Sequence, residues 1–224
     1  MSTPDIGGSR DAENALTIAL AEYTALNDLQ KALRDQSAAR FNFFLAIVTA
    51  AAAVSGGLAS GGKLSEAAKG TLGTVGFLIL VLGLSTFLRQ VEFSQRGNRY
   101  AAATDTLRTY LARSCAPVAP YLIMPVIGDV GVIGTTYRRR TGVLRDAMSL
   151  PGTVGIINSA LLALGAGFVT GIWLDYTIWP PAAAFAAFAL SMVLHIGHLR
   201  RAFRRSRTEV AALLAARGLD ADPN

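Results

Sequence analysis

The feature that most constrains the fold is an uncharged run at residues 153–174. This run holds no Asp, Glu, Lys or Arg, and as an α-helix it extends about 33 Å, close to the hydrocarbon thickness of a bilayer. Three other stretches, at about 41–59, 71–88 and 178–198, are uncharged in the same way. The sequence therefore predicts an all-α fold, an integral membrane protein with four transmembrane helices and cytoplasmic helical extensions.

The composition agrees with membrane insertion. Only 16% of the 224 residues are charged, whereas a soluble domain has about 25%. A net charge of +6 is also found in proteins that bind nucleic acid. We interpret the arginine excess as the basic cytoplasmic side of a membrane protein instead, and expect the lipid bilayer rather than nucleic acid as its partner. Abundant Gly, Ala and Arg with little Lys is typical of a GC-rich bacterium, so we expect the bacterial cytoplasmic (inner) membrane.

The basic residues are distributed unevenly about the predicted spans. Of 21 Lys and Arg residues, all but Lys63 and Lys69 lie before, between or after the two predicted hairpins. The positive-inside rule then places both termini in the cytoplasm. The final segment continues the fourth span as a basic helix that ends near Gly218. The predicted segments are an N-terminal helix at 1–40, a hairpin at 41–88, a cytoplasmic segment at 89–152, a second hairpin at 153–198 and a basic tail at 199–224.

Residues 1–40 predict an amphipathic helix that continues into the first hairpin. After a leader over residues 1–10, the helix begins at Asp11, and no Pro or Gly interrupts it before the first span. Apolar side chains recur along it every three or four residues, as in a coiled-coil seam. They are Leu16, Leu20, Tyr23, Leu26, Leu29 and Leu33. This stripe packs either on the protein's own helices or against other subunits of a homo-oligomer.

Segment 89–152 is the largest part outside the predicted spans. It begins as a helix that continues from the second span to about Arg113, and Pro117, Pro120 and Pro125 then exclude a regular helix. The stretch around these prolines is more apolar than a free loop, so we expect it to pack on the bundle, on lipid or on a cytoplasmic protein partner. The candidate docking residues are Tyr121, Ile123 and Met124.

The second hairpin carries small residues suited to close helix packing. Its two spans are joined only by residues 175–177, so they must be neighbours. Ala163, Gly167 and Gly171 recur every four residues on one face of the third span, where small side chains let another backbone approach. The expected contact is the fourth span, with the same face of another subunit as the alternative. The residues expected on the fourth span are Ala183, Ala187 and Ser191.

Polar residues inside the predicted spans leave two interpretations open. They line a pore, or they form hydrogen bonds between helices. They are Asn42, Thr49, Ser55, Thr74, Asn158, Ser159 and Thr170.

No pattern in the sequence predicts catalysis. There is no phosphate-binding loop and no nucleophile elbow, and Cys115 is the single cysteine. His195 and His198 stand one helical turn apart, as in some metal sites, but no third ligand is evident nearby, so we interpret them as residues of the cytoplasmic boundary. We therefore expect a protein that is not an enzyme, with no catalytic residue, metal or cofactor.

A family resemblance extends these predictions. Residues 39–44, Ala-Arg-Phe-Asn-Phe-Phe, lead from the long amphipathic helix into the first hairpin. In this arrangement, over about residues 12–95, the chain resembles the SLATT-type membrane proteins of prokaryotes. The resemblance implies a pore-forming effector that is paired with a nucleotide-sensing conflict system. The expected function is an oligomeric pore or channel-type effector gated through cytoplasmic helices. The alternative is a non-catalytic, membrane-anchored module that holds a cytoplasmic partner.

Overall fold

Four long helices make up the architecture. The computed structural model describes residues 6–60, 65–114, 146–173 and 178–218. The helices are α1 (Ile6–Ser60), α2 (Glu66–Ser114), α3 (Leu150–Trp173) and α4 (Trp179–Ala216). These residues contain no strand, which confirms the all-α prediction for them. All four helices are long and apolar enough to cross a membrane.

Serine and glycine mark the helix ends. Ser65 Oγ and Ser149 Oγ each accept a hydrogen bond, 3.2 Å long, from the backbone N–H three residues later. These serines are therefore the N-caps of α2 and α3. Gly218 follows α4 with a φ of 64°, the left-handed conformation that commonly ends a helix. The predicted end of the basic helix near Gly218 is confirmed.

The predicted continuity of α1 and α2 is confirmed, but the predicted start of α1 is wrong. The helix begins at Ile6 instead of Asp11, so part of the predicted leader is helical. Gly7 and Gly8 each cost about 1 kcal/mol relative to Ala inside a helix. Extension of an existing helix offsets such costs because each added residue gains a backbone hydrogen bond without a new nucleation step.

The helices supply two compact units. Unit 1 comprises residues 1–35, 95–140 and 204–224, and unit 2 comprises residues 36–94 and 141–203. Helices α1, α2 and α4 contribute to both units, whereas α3 lies within unit 2.

Unit 1 is held by a small apolar core and by polar contacts between its helices. Its buried apolar residues are Ala19, Leu26, Ala102, Val210 and Leu214. Gln30 Nε2 donates to Thr104 Oγ1 at 2.9 Å, which links α1 to α2. An ion pair of 2.5 Å between Arg99 and Glu209 links α2 to α4. All three helices of the unit are thus joined.

Arg108 connects two titratable side chains of unit 1, both outside the predicted spans. Its guanidinium donates to the Tyr23 hydroxyl at 3.3 Å and pairs with Asp105 at 3.1 Å. The hydrogen bond from Arg108 lowers the pKa of Tyr23. Burial raises the pKa of Asp105, and the nearby Arg108 charge only partly opposes this. The ion pair lies within α2, so the hydrogen bond from Arg108 to Tyr23 is the contact of this group that links α2 to α1.

The apolar stripe of α1 is divided between buried and exposed positions. Leu26 is buried, and Tyr23 and Leu33 are half-buried within unit 1. For these residues the packing on the protein's own helices is confirmed. The remaining residues of the stripe lie at its edges, where the helical periodicity points their side chains away from the buried face. These exposed residues are Leu16, Leu20 and Leu29.

Unit 2 packs an apolar core at one end of its helices. Phe44, Phe87, Val154 and Leu199, one from each helix, are all buried there. We name as the packed half residues 36–51, 79–94, 146–161 and 191–203, which hold every buried side chain described in unit 2. We name as the open half residues 52–58, 65–78, 162–172 and 178–190, none of which is buried.

Candidate functional site

A buried polar cluster lies between α3 and α4 in the packed half. It consists of Asn158 and Ser159 on α3 with Ser191 and His195 on α4. The Ser159 hydroxyl donates to the Gly155 carbonyl at 2.8 Å and lies 3.0 Å from the Ser191 hydroxyl. Since each hydroxyl donates one proton, Ser191 supplies the proton of the second bond. The two helices are thus linked by a pair of hydroxyl groups.

His195 has one satisfied and one unsatisfied ring nitrogen. Its Nδ1 lies 2.8 Å from the Ser191 carbonyl oxygen, and since a carbonyl only accepts, Nδ1 carries a proton. The ring packs edge-on against Phe87, with 4.6 Å between centroids. The other nitrogen, Nε2, is buried and has no hydrogen-bond partner among the described residues. In the neutral imidazole this nitrogen is an acceptor.

Asn158 is unsatisfied at both ends of its amide. The residue is 1% exposed, and neither Nδ2 nor Oδ1 has a hydrogen-bond partner in the described part of the chain. Gly83 on α2 makes room for the amide, since a Cβ at Gly83 would lie 1.9 Å from Oδ1. Leaving a buried polar group unpaired costs about 1–3 kcal/mol. Asn158 therefore carries two donors and an acceptor that are buried without partners among the described residues.

A cavity of about 390 Å³ is lined by this cluster. Asn158, Ser191 and His195 are among the lining residues, together with leucine and alanine side chains of α2, α3 and α4, and the surface of the cavity wall is almost wholly apolar. Leu190 and Leu194 are 64% and 63% exposed, so the cavity opens at the surface of unit 2. The apolar wall consists of Leu80, Leu84, Leu162, Ala166, Ala187, Leu190 and Leu194.

Other buried polar side chains of the packed half are paired. Gln90 Nε2 donates to the Ser37 carbonyl at 2.8 Å, and its Oε1 accepts from the Ser37 hydroxyl. The buried Asp146 carboxylate pairs with Arg200 at 3.3 Å. Among the described residues of unit 2, only Asn158 and the His195 ring carry buried polar atoms without a partner. The cavity wall is therefore where the unit departs from the usual rule.

The predicted inter-helix hydrogen bonds are correct for Ser159 and wrong for five residues, one of which, Asn158, has no hydrogen-bond partner among the described residues. The hydroxyls of Thr49, Ser55, Thr74 and Thr170 each donate to the carbonyl four residues earlier in their own helix. This local acceptor is always within reach of a helical serine or threonine. Ser159 is the one that also bonds to another helix. Pore lining stays a prediction.

The predicted small-residue face of α3 lies beside α4. A Cβ at Gly167 would lie 3.3 Å from the Ala184 Cβ and 3.4 Å from the Pro180 carbonyl oxygen, and a Cβ at Gly171 would lie 3.8 Å from Pro180. The neighbour of Gly167 is thus Ala184 and not the expected Ala183. The other predicted packing residues are half-buried, namely Ala163, Ala183 and Ala187. A subunit contact through this face stays a prediction.

Two other predicted features contribute no site. The candidate docking residues Tyr121, Ile123 and Met124 lie outside the described residues. The His198 ring lies 5.9 Å from Phe87. In the described ranges no three His, Cys, Asp or Glu side chains are grouped so as to hold a metal ion.

Sequence reasoning named the members of the polar cluster separately and missed their assembly. Ser191 and His195 are four residues apart on one helical face, and Asn158 and Ser159 are adjacent in an otherwise apolar run. The sequence could have indicated the cluster, because both neighbouring spans carry polar residues on sides that can face each other. Nothing in the sequence indicates that Gly83 makes room for the Asn158 side chain.

The chain was compared with family models, curated proteins and solved structures, and none of them matches. The resemblance to SLATT-type proteins therefore stays a prediction.

Proposed function

We propose that the protein is an integral membrane protein of the bacterial cytoplasmic membrane, with both termini in the cytoplasm. Four helices of sufficient length and apolarity support membrane insertion. Of the basic residues, only Lys63 and Lys69 lie between the first and second spans, which supports this orientation. The helical extensions at 1–40, 89–152 and 199–224 are then cytoplasmic.

Reporter fusions test this topology. Fusions after Ser60 and Tyr176 should report an external position, and a fusion after Arg140 should report a cytoplasmic one. A cytoplasmic signal after Ser60 would contradict the arrangement, because it would leave the first hairpin on the wrong side of the membrane.

We propose further that the protein acts as an oligomeric pore or channel-type effector gated through its cytoplasmic helices. The observation that carries this proposal is an exposed stripe on α1, which we name the small-residue stripe. It consists of Asn42, Ala46, Thr49, Ala53 and Gly56, all of them exposed. Steps of three and four residues keep these positions on one helical face. In a membrane, small and polar residues on one face favour close approach of another helix.

A conducting path requires several subunits in this proposal. The side chains of Phe44, Phe87 and Val154 close the centre of unit 2. The Thr49 hydroxyl and the Asn42 amide instead face outward on α1. Assembly around the small-residue stripe would bring these polar groups of neighbouring subunits together. Because α1 continues without interruption from the N-terminal extension through the first span, a displacement of the extension is carried into the stripe.

A double substitution, Ala53→Leu with Gly56→Leu, tests the pore. A Cβ at Gly56 meets no atom within 4 Å, so the larger side chains leave the monomer intact and obstruct only a neighbouring subunit. Release of K⁺ from loaded vesicles should fall about tenfold, since overpacking a contact costs roughly 1–3 kcal/mol. The oligomer mass in detergent should fall with it.

The matched control is Val54→Leu, on another face of α1 and 63% exposed. It should keep both the K⁺ release and the oligomer mass of the unsubstituted protein. If the unsubstituted protein releases no more K⁺ than empty vesicles, or the double variant matches the control, the pore proposal is wrong.

The alternative proposal, a membrane-anchored module that holds a cytoplasmic partner, is supported by a groove in unit 1. Ile18, Glu22, Leu107 and Tyr110 are among the residues that line this groove. Ile18 is 69% exposed, an apolar side chain available to a partner helix. Ile18→Asp should then abolish partner recovery without changing membrane insertion or K⁺ release, whereas unchanged recovery would reject the groove as a docking site.

A further inference from the structure

We propose that an anionic phospholipid of the cytoplasmic leaflet binds to one face of α4 in unit 2. This face, which we name the lipid face, consists of Leu190, Leu194, Gly197 and Arg201. One acyl chain of the lipid lies in the cavity lined by α2, α3 and α4, and the phosphate of its headgroup bonds to Arg201. The inference rests on the membrane insertion proposed above and is independent of pore formation.

The cavity suits a hydrocarbon chain. The surface of its wall is almost wholly apolar, and a volume of about 390 Å³ lies within the range of small-molecule sites, roughly 300–1,000 Å³. A charged or polar group placed inside would lose its hydration without gaining a partner. Leu190 and Leu194 line the cavity and are largely exposed, so in the membrane-inserted state the cavity opens to lipid. An acyl chain then enters it from the bilayer without crossing water.

The lipid face leads from the cavity to a basic residue. Steps of four, three and four residues place Leu190, Leu194, Gly197 and Arg201 on one side of α4. At the helical rise, Arg201 lies about 10 Å beyond Leu194 along the axis. Gly197 lies between these two residues, and a Cβ there would meet no atom within 4 Å. No side chain of this face therefore stands between the cavity and Arg201, and a lipid can lie along it.

Arg201 has no acidic partner within the packed half, which contains four arginines and two carboxylates. Glu92 is paired with Arg89 at 3.6 Å. Asp146 is paired with Arg200 at 3.3 Å. Arg201 is exposed and forms no ion pair with any described residue. Its guanidinium is therefore available to an anion from outside the chain.

The location of Arg201 favours a phospholipid as the source of that anion. The residue lies just beyond the predicted fourth span, at the end of α4 that is cytoplasmic in the proposed topology. The cytoplasmic leaflet has a negative surface potential because of its anionic lipids, and a guanidinium binds phosphate through two parallel N–H bonds. An anionic phospholipid supplies both parts that the lipid face requires, an apolar chain and a phosphate.

The test compares two photoreactive lipids, a phosphatidylglycerol and a phosphatidylcholine, each with a diazirine in the same acyl chain. Purified protein in vesicles is irradiated with a trace of either lipid, and labelled residues are identified by mass spectrometry. The phosphatidylglycerol should label cavity residues of α3 and α4 about fivefold more, the gain expected for one arginine near an anionic headgroup. Phe43 of α1 is 64% exposed and does not line the cavity, so both lipids should label it equally.

Two substitutions remove the site by different routes. Arg201→Gln removes the positive charge and should lower labelling by phosphatidylglycerol to the level of phosphatidylcholine, whereas Arg201→Lys should keep most of the preference. Gly197→Leu places a side chain across the lipid face without straining the monomer. Because chain and headgroup can then no longer bind together, it should also remove the fivefold preference.

Each substitution has a matched control that should keep the preference. Arg34→Gln removes the same charge from an exposed position of α1, a helix that does not line the cavity. Gly73→Leu makes the same change at a glycine of α2 where a Cβ would also meet no atom within 4 Å.

Equal labelling of the cavity by the two lipids would overturn the proposal and would indicate that only bulk lipid covers this surface. An unchanged preference in Arg201→Gln would reject the phosphate contact, and an unchanged preference in Gly197→Leu would reject the path along the lipid face, so either result overturns it as well. Flotation of the vesicles reports insertion separately, and K⁺ release reports the pore. A failure of the lipid proposal is thereby distinguished from a failure of the proposed function.

Discussion

The two halves of unit 2 are made from the same four helices but use their glycines differently. In the packed half, Gly83 lies against the Asn158 side chain, and a Cβ at Gly155 would lie 3.2 Å from the His195 Cβ. In the open half, a Cβ at Gly76 would meet no atom within 4 Å. Glycine therefore permits close packing at these positions in the packed half. In the open half Gly76 leaves helix surface uncovered, and of the described glycines there only Gly167 would bring a Cβ within 3.4 Å of a neighbouring helix.

This difference shows where the four-helix unit holds itself together. In a membrane, helices gain little from burying apolar side chains against one another, because lipid is equally apolar. Specific packing and hydrogen bonds must hold the helices instead. Within the predicted spans the Ser159–Ser191 bond does this, and just outside them the Gln90–Ser37 bonds and the Asp146–Arg200 pair also lie in the packed half. In the proposed membrane-inserted state the open half is available to lipid or to other subunits.

The largest loss of stability is expected from a substitution at Gly83 in the packed half. In Gly83→Ala the new Cβ would lie 1.9 Å from Asn158 Oδ1 and 3.1 Å from Phe44 Cζ, so the amide must move. We expect a loss of about 3 kcal/mol, the upper part of the range for overpacking. Thermal unfolding in detergent measures it.

A double-mutant cycle identifies the cause. Combining Gly83→Ala with Asn158→Ala removes the clashing amide, so the double variant should lose much less than the sum of the single losses. Additive losses would show that the contact between Gly83 and Asn158 is not what the packed half depends on.

The helices were predictable from the sequence, and the site was not. Uncharged runs determine where apolar helices form, and the absence of Pro and Gly around Arg40 predicts that α1 continues without a break. The contact of Gly83 with Asn158 depends on how two distant spans rotate against each other. The sequence pattern within a single helix does not predict that rotation. His195 was interpreted as a boundary residue for the same reason.

Gly167 makes a close contact between helices in the open half. Gly167→Leu places a bulky side chain against Ala184 and Pro180, and we expect a loss of about 1–2 kcal/mol in thermal stability. The loss is smaller than at Gly83 because no residue here is buried and the new side chain can turn toward lipid. Phe168→Leu is the matched control and should be mild.

The outcome also separates the two predicted uses of this face. Loss of the folded monomer in detergent would indicate an intramolecular contact between α3 and α4. Loss of the oligomer alone would indicate a subunit interface. If neither stability nor oligomer mass changes, the glycines of α3 face lipid and the predicted packing role of Ala163, Gly167 and Gly171 is wrong.

The smallest change in thermal stability is expected at Gly76, and it is a gain where the substitutions at Gly83 and Gly167 cause losses. Gly76→Ala adds a methyl group where nothing lies within 4 Å, so no contact of the monomer is strained. Alanine also reduces the conformational freedom of the unfolded chain and is favoured over glycine inside a helix by about 0.5–1 kcal/mol. Thermal stability should therefore be unchanged or rise by up to about 1 kcal/mol, with the oligomer mass unaltered. A loss of stability would mean that the open half is packed by something within the monomer. A loss of oligomer at full monomer stability would mean that another subunit covers α2 at Gly76, in addition to the small-residue stripe of α1.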